Sequence, residues 1–232
     1  MMPPTDLPES CVSPDIVQQL LVVFVPMLLS LTVHEYAHAW SAEKLGDDTA
    51  RVQGRLTLNP LAHVDLFGTV LLPFLLTVSG ASFFLGWAKP VPVNPANFTR
   101  RLRMSTGMML TAAAGPISNL LMAVAAVAVM KALLVAGVGS KGVFMLLYYL
   151  LSINLGLALF NLIPFPPLDG SRVLVGLLPP RFQGVFGFLE QNPWMYLVGF
   201  FAILHFAGAL IGPPYVALLR GLLSLFGIPV GD

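Results

Sequence analysis

The chain has 232 residues, of which 56% are hydrophobic and only 10% charged, with a formal net charge of +1. Soluble domains carry roughly 25% charged residues to cover their surface, so this composition, with a mean hydropathy of +0.82, excludes a cytosolic enzyme. The near-zero net charge excludes a nucleic-acid binder, which needs a basic excess to neutralise phosphates. The single cysteine, Cys11, leaves no disulfide framework and no thiolate metal cluster. The expected fold is an all-α, polytopic transmembrane helical bundle whose constant partner is the lipid bilayer.

The first predicted span covers 16–42. The segment before it, MMPPTDLPESCVSPD, carries Asp6, Glu9 and Asp15 but no Lys or Arg, so it lacks the positive start of a cleavable signal peptide. No apolar run precedes Cys11, which argues against a lipoprotein site. Lys44, Arg51 and Arg55 follow the span. By the positive-inside rule the N-terminus is outside and residues 43–65 are cytoplasmic.

Residues 66–86 are apolar but interrupted by Gly68, Pro73 and Gly80, and their far flank carries Lys89, Arg100, Arg101 and Arg103. Basic residues on both sides predict a re-entrant element rather than an ordinary short crossing, which is the alternative. The following GWAKPVPVNP cannot be helix interior; its alternating valines and prolines suit a short exposed edge strand. Further spans are expected at 106–136, 142–164 and 194–211, with a shorter apolar piece at 215–228. Between Met104 and Leu168 the only charges are Lys131 and Lys141. No fixed-period repeat and no soluble domain fits between the spans.

The chemistry begins at His34-Glu35-Tyr36-Ala37-His38. Histidines four apart lie on one helix face, about 6 Å apart along the axis. Two imidazoles there can hold one zinc, with Glu35 beside them to take a proton from water. Three ionisable groups inside an apolar span are costly and rarely accidental. Catalytic zinc takes three protein ligands, and the third comes from His63, Asp65, Asp169, Glu190 or His205. Asp169 lies in FNLIPFPPLDGSRVL, where prolines break a span. An acid on irregular backbone at membrane depth needs a counter-charge, although Asp169-Gly170 also suits a plain turn.

HEYAH in a first span, AGPISN (Ala114 to Asn119) opening a later one, and NLIPFPPLDG at the end of the next resemble the site-2 protease family of intramembrane zinc metalloproteases. The motifs occur in the family's order and cover residues 16–176. The resemblance implies one zinc per chain, held by His34, His38 and Asp169, with Glu35 as catalytic base. It also places Asn161 facing the active site, where an amide donor can hold substrate or a developing oxyanion. Gly115, Pro116 and Asn119 read as helix-packing residues. Unlike larger members, the chain shows no PDZ domain between spans and no C-terminal regulatory domain; the loop near Gly137–Gly142 is too short for one. GWAKPVPVNP is a string that recurs in compact bacterial members.

The resemblance implies that residues 1–232 form a single intramembrane metalloprotease domain, with a catalytic core about 16–176 and C-terminal helices about 194–228. The expected location is the bacterial inner membrane, with the active site towards the cytoplasm. The expected substrate is a transmembrane helix of another protein, unwound and held by β-augmentation at Val91 and Val93. The alternatives are a membrane metal transporter or sensor using the same histidines, and a catalytically idle scaffold relative. A transporter spreads ionisable groups over several spans, and an idle relative is expected to lose Glu35 or a ligand.

Overall fold

A computed structural model describes residues 14–79 and 86–229. Cys11 with its acidic leader, and residues 80–85 of the expected re-entrant element, lie outside the described residues. Within them all regular structure is helical. Four helices are long and apolar enough to cross a membrane: α1 (Pro14–Lys44), α4 (Met104–Ala136), α5 (Lys141–Asn161) and α8 (Pro193–Leu225). Shorter helices are α2 (Thr49–Val52), α3 (Leu72–Val78), α6 (Asp169–Leu177) and α7 (Pro180–Gln191). Helices suit this sequence because lipid offers no partner to a bare N–H or C=O, so each span must satisfy its own backbone.

Two expectations change. The pieces 194–211 and 215–228 are one helix, α8, of 33 residues that contains Pro213 and Pro214. Apolar surroundings penalise an open turn, so the chain stays helical through both prolines. AGPISN does not open its helix: α4 starts at Met104, ten residues upstream of Ala114. Pro116 therefore sits inside the helix and donates no hydrogen bond to the turn before it.

The packing follows from small residues and a few polar ones. Side chains of α1 meet α4 in opposite order along the chains, His38 against the Thr111 carbonyl and His34 against the Asn119 side chain. The two helices are therefore antiparallel. The loop after Ala136 turns the chain back, so α5 runs parallel to α1, with Ser30 bonded to Asn154. Ala123, Ala126, Val127 and Met130 of α4 pack with Leu147, Leu151 and Leu155 of α5 and with Leu223 of α8. The alanines let these backbones approach closely, which drives helix association in lipid.

Residues 66–79 do not cross. Asp65 caps a π-helical turn at Leu66–Leu71 by accepting from the N–H groups of Phe67 and Gly68, and α3 continues it. The chain then returns to where it entered: Trp87 N–H donates to Gly68 O at 3.2 Å, and Thr69 Oγ1 donates to Trp87 O at 2.7 Å. Gly68 and Trp87 thus lie at one level, beside Met27 in the middle of α1. Residues 86–94 carry no helix and no paired strand among the described residues. Alternating prolines at 90 and 92 remove the donors a ladder needs. Ala88 of this segment packs on Met27 and Leu31 of α1.

Candidate metal centre

α1 presents His34 and His38 one turn apart towards α4. Their rings meet edge to face with centroids 4.6 Å apart and Nε2 atoms 3.0 Å apart. Because α5 runs parallel to α1, its end delivers the irregular 162–168 turn to the same level. Asp169, first residue of α6, then places Oδ2 3.2 Å from His34 Nε2 and 3.3 Å from His38 Nε2. Two glycines allow this closeness. A Cβ on Gly115 of α4 would lie 2.5 Å from His38 Nε2, and one on Gly170 would run into the carbonyls of Leu162 and Ile163.

The proton positions follow from the partners. His38 Nδ1 is 2.7 Å from Thr111 O, and a carbonyl only accepts, so Nδ1 carries the hydrogen. His34 Nδ1 is 2.5 Å from Asn119 Oδ1. The Asn119 amide is oriented by its Nδ2, which donates to Asn154 Oδ1 at 2.7 Å and to Ser30 O at 3.3 Å. Asn154 Nδ2 donates to Leu150 O at 2.7 Å and Ser30 Oγ at 2.8 Å. Ser30 Oγ donates onward to Pro26 O at 2.6 Å. The chain ends on backbone carbonyls, so each amide has one self-consistent orientation. Ser30, Asn119 and Asn154 are fully buried, and leaving any of them unpaired in this interior would be costly.

With both hydrogens on Nδ1, both Nε2 lone pairs face each other and the Asp169 carboxylate. Oδ2 of Asp169 is itself buried without a hydrogen-bond donor. The three donor atoms all lie within 4.8 Å of one another. Three acceptors with no proton between them repel, and a divalent cation satisfies all three at once. Two imidazole nitrogens and one carboxylate oxygen are a donor set that catalytic zinc uses. The residues fit a zinc ion.

Glu35 sits beside this cluster on α1. Its Oε2 accepts the Val91 N–H at 2.9 Å, so the segment expected as a free edge is tied to the carboxylate at Val91. The remaining candidates stand elsewhere. His63 is buried, with Nε2 2.8 Å from Thr57 O, and Asp65 caps the re-entrant turn. His205 is exposed on α8 against the Phe206 ring. The Glu190 side chain lies outside the described residues. Asn161 donates its amide to Leu157 O of its own helix at 3.0 Å. Asn119, read from sequence as a structural residue able to bond across helices, does so and holds His34. The available signal was the asparagine pair in two neighbouring spans, since an amide in lipid must find a partner.

Comparison with known proteins identifies the family. The family model of peptidase family M50 matches residues 136–206. A Bacillus subtilis protein with the printed name "Putative zinc metalloprotease YwhC" is 42% identical over 161 residues, 67% of this chain and 68% of its own. A Mycobacterium tuberculosis protein named "Putative zinc metalloprotease Rip2" is 29% identical over 202 residues, covering 84% of this chain and 72% of its own. The protein of that name from Mycolicibacterium smegmatis is 29% identical over 180 residues, 77% and 64% respectively. No solved structure matches. With four apolar spans and this relationship to YwhC, the chain belongs to peptidase family M50 and is an integral membrane zinc metalloprotease of the site-2 type.

Proposed function

We propose that this protein hydrolyses peptide bonds within or next to transmembrane segments of other membrane proteins, in regulated intramembrane proteolysis. His34, His38 and Asp169 would hold one zinc per chain, and Glu35 is the general base. The observation that carries this reading is the convergence of two bare imidazole nitrogens and a donor-less carboxylate oxygen next to Glu35. The zinc supplies Lewis acidity that activates water and polarises a carbonyl. Glu35 takes a proton from the attacking water and returns it to the leaving nitrogen. Asn119 and Thr111 O hold the imidazoles in the tautomer that leaves Nε2 free.

The substrate is a membrane helix that must unwind, because a helix hides its carbonyls in its own hydrogen bonds. The extended Val91–Val93 segment lies beside Glu35, so a strand laid along it by β-augmentation reaches the base. Val91 gives its N–H to Glu35, which leaves the segment's carbonyls and Val93 for pairing. Asn161, the last residue of α5 before the irregular 162–168 stretch, is the proposed contact for substrate or oxyanion.

Residues from about 16 to 176 act as the catalytic core of one domain. Lys44, Arg51, Arg55, Lys89, Arg100, Arg101 and Arg103 lie in the loops on one side of the spans, and the positive-inside rule assigns that side to the cytoplasm. The N-terminus is then outside, in a bacterial cell membrane.

The test is cleavage of a tagged single-span membrane protein in liposomes by wild type and Glu35→Gln, with zinc content measured in parallel. Glu35→Gln should keep zinc and lose 10²- to 10⁴-fold in rate, the usual contribution of general acid–base catalysis. His38→Ala should lose most of the metal, and Asp169→Ala much of it. Full turnover in Glu35→Gln, or stoichiometric zinc with full activity in Asp169→Ala, would overturn the assignment.

A further inference from the structure

Arg55 is a buried cation, 8% exposed, and no carboxylate pairs with it among the described residues. Its guanidinium instead donates to backbone carbonyls on two separate stretches of chain. Nη1 bonds Ala62 O, while Nη2 donates to Lys89 O at 2.6 Å and Pro90 O at 3.1 Å. A planar fork with five N–H donors suits three carbonyls in one region; a lysine ammonium offers three donors from a single point. The same stretches are joined by Lys89 N–H donating to His63 O at 2.9 Å.

What this clamp places is Val91. Prolines at 90 and 92 leave Val91 and Val93 as the only N–H groups between Lys89 and Asn94. The Val91 N–H is the one that meets Glu35 Oε2. The far end of the segment is pinned by a second buried charge: Asp47 Oδ2 accepts Asn94 N–H at 2.7 Å, and Oδ1 accepts Asn97 Nδ2 at 2.9 Å. A cation holding carbonyls at 89–90 and an anion holding donors at 94 and 97 stretch the backbone between them across the Glu35 carboxylate. The charges match the groups available at each end, since a proline-rich stretch is poor in donors and rich in acceptors.

We propose that Arg55 is a positioning residue for Glu35: by holding the backbone at Lys89 and Pro90, it keeps the Val91 N–H on the carboxylate and sets the carboxylate's orientation towards the zinc cluster. The role rests on the reading of Glu35 as general base. Arg55 acts through the main chain, from the carbonyls of Lys89 and Pro90 to the neighbouring Val91 N–H. Glu35 is thereby held from outside its own helix, in an interior where a misplacement of 1 Å can cost two orders of magnitude in rate.

The test uses the full zinc-loaded chain in detergent, comparing Arg55→Met, Arg55→Lys and Val91→Pro, the last deleting the N–H while leaving Arg55 intact. Hydrogen exchange of residues 86–98 and cleavage of the tagged single-span protein are followed together. In Arg55→Met, Val91 exchange should rise at least tenfold while α4 and α5 amides and zinc content stay as in wild type. kcat/KM should fall at least tenfold, and Arg55→Lys should recover part of both effects. Val91→Pro should reproduce the kinetic loss, and the double variant Arg55→Met/Val91→Pro should lose less than twofold more than either alone. Unchanged Val91 exchange in a folded Arg55→Met, or fully additive losses in the double variant, would overturn the proposal, as would loosened α4 and α5 amides in both Arg55 variants. Failure of the base assignment shows separately, as turnover retained in Glu35→Gln with the Val91 exchange pattern intact.

Discussion

At the scale of single residues, the proposed metal centre depends on groups outside the His34–His38–Asp169 cluster. Asn119 accepts from His34 Nδ1 and donates to Asn154 and Ser30, so one amide fixes both the tautomer and the angle of a ligand. Removing such an outer partner weakens metal affinity by about 10- to 100-fold. Asn119→Ala is therefore expected to need that much more free zinc for half-occupancy, measured by competition with a chelator. Asn119→Asp offers the same oxygen to His34 but cannot donate to Asn154 and Ser30, so it should stay weaker than wild type. Wild-type zinc affinity in Asn119→Ala would show that the imidazole is oriented without it. Gly115 works at the same level by being absent: any side chain there collides with both imidazoles.

Among elements, the stretch from Trp87 to Phe98 has the most to do with the site and the least regular structure. It is held by Gly68, His63, Arg55, Asp47 and Leu45 O, the last accepting Thr99 N–H at 2.7 Å. Asp47 is fully buried. Burial by itself pushes its pKa up, but hydrogen bonds from Thr49, Asn94 and Asn97 outweigh that and hold it below the usual carboxylate value. A carboxylate more acidic in the folded state stabilises the fold above its unfolded pKa, about 4. That contribution is lost as pH falls through the folded value. Asp47→Asn keeps one acceptor and loses the charge, so at pH 7 it should lower stability by about 1–2 kcal/mol. The gap to wild type in thermal unfolding should narrow as pH drops below about 4. A gap that is constant down to pH 2 would show that the charge contributes nothing.

For the whole molecule, the decisive feature is direction. α1 and α5 run parallel and α4 antiparallel, and Gly68 and Trp87 meet at one level of the bundle. Only this arrangement places Asp169 at the His34–His38 level. Were residues 66–86 a full crossing, Asp169 would lie across a ~30 Å apolar core from the histidines, far beyond a zinc–oxygen bond of about 2 Å. α4 and α8, at 33 residues each, are about 50 Å long and exceed that core, so they tilt or project beyond it. Single cysteines at Gly46, Asn97 and Gly139, introduced into Cys11→Ser, are expected to divide by side under a membrane-impermeant reagent. Positions 46 and 97 should react from the cytoplasm and 139 from outside. Labelling of 97 and 46 from opposite sides would refute the shared level of the two loops.

Much of this was legible in the residues alone, where the information is local. Twenty apolar residues in a row must be a helix in lipid, and the HEYAH spacing puts two imidazoles on one face, whatever surrounds them. The broken apolar run between two basic flanks indicated an element that turns back, because charge does not cross lipid freely. Local periodicity did not carry the contacts between distant segments. That Asn119 holds His34, 85 positions away, or that Arg55 and Asp47 brace a proline-rich segment against Glu35, depends on which helices lie side by side and in what direction. An asparagine or an arginine in isolation can satisfy its hydrogen bonds in many ways; only the packed bundle selects one. Nor could spacing choose Asp169 over four other candidate ligands, because that choice is made by the parallel run of α1 and α5. The sequence determined the spans and the chemistry of the histidine pair. The tertiary structure decided which acid lies against them and which backbone meets Glu35, because those are long-range contacts created by helix direction and close packing.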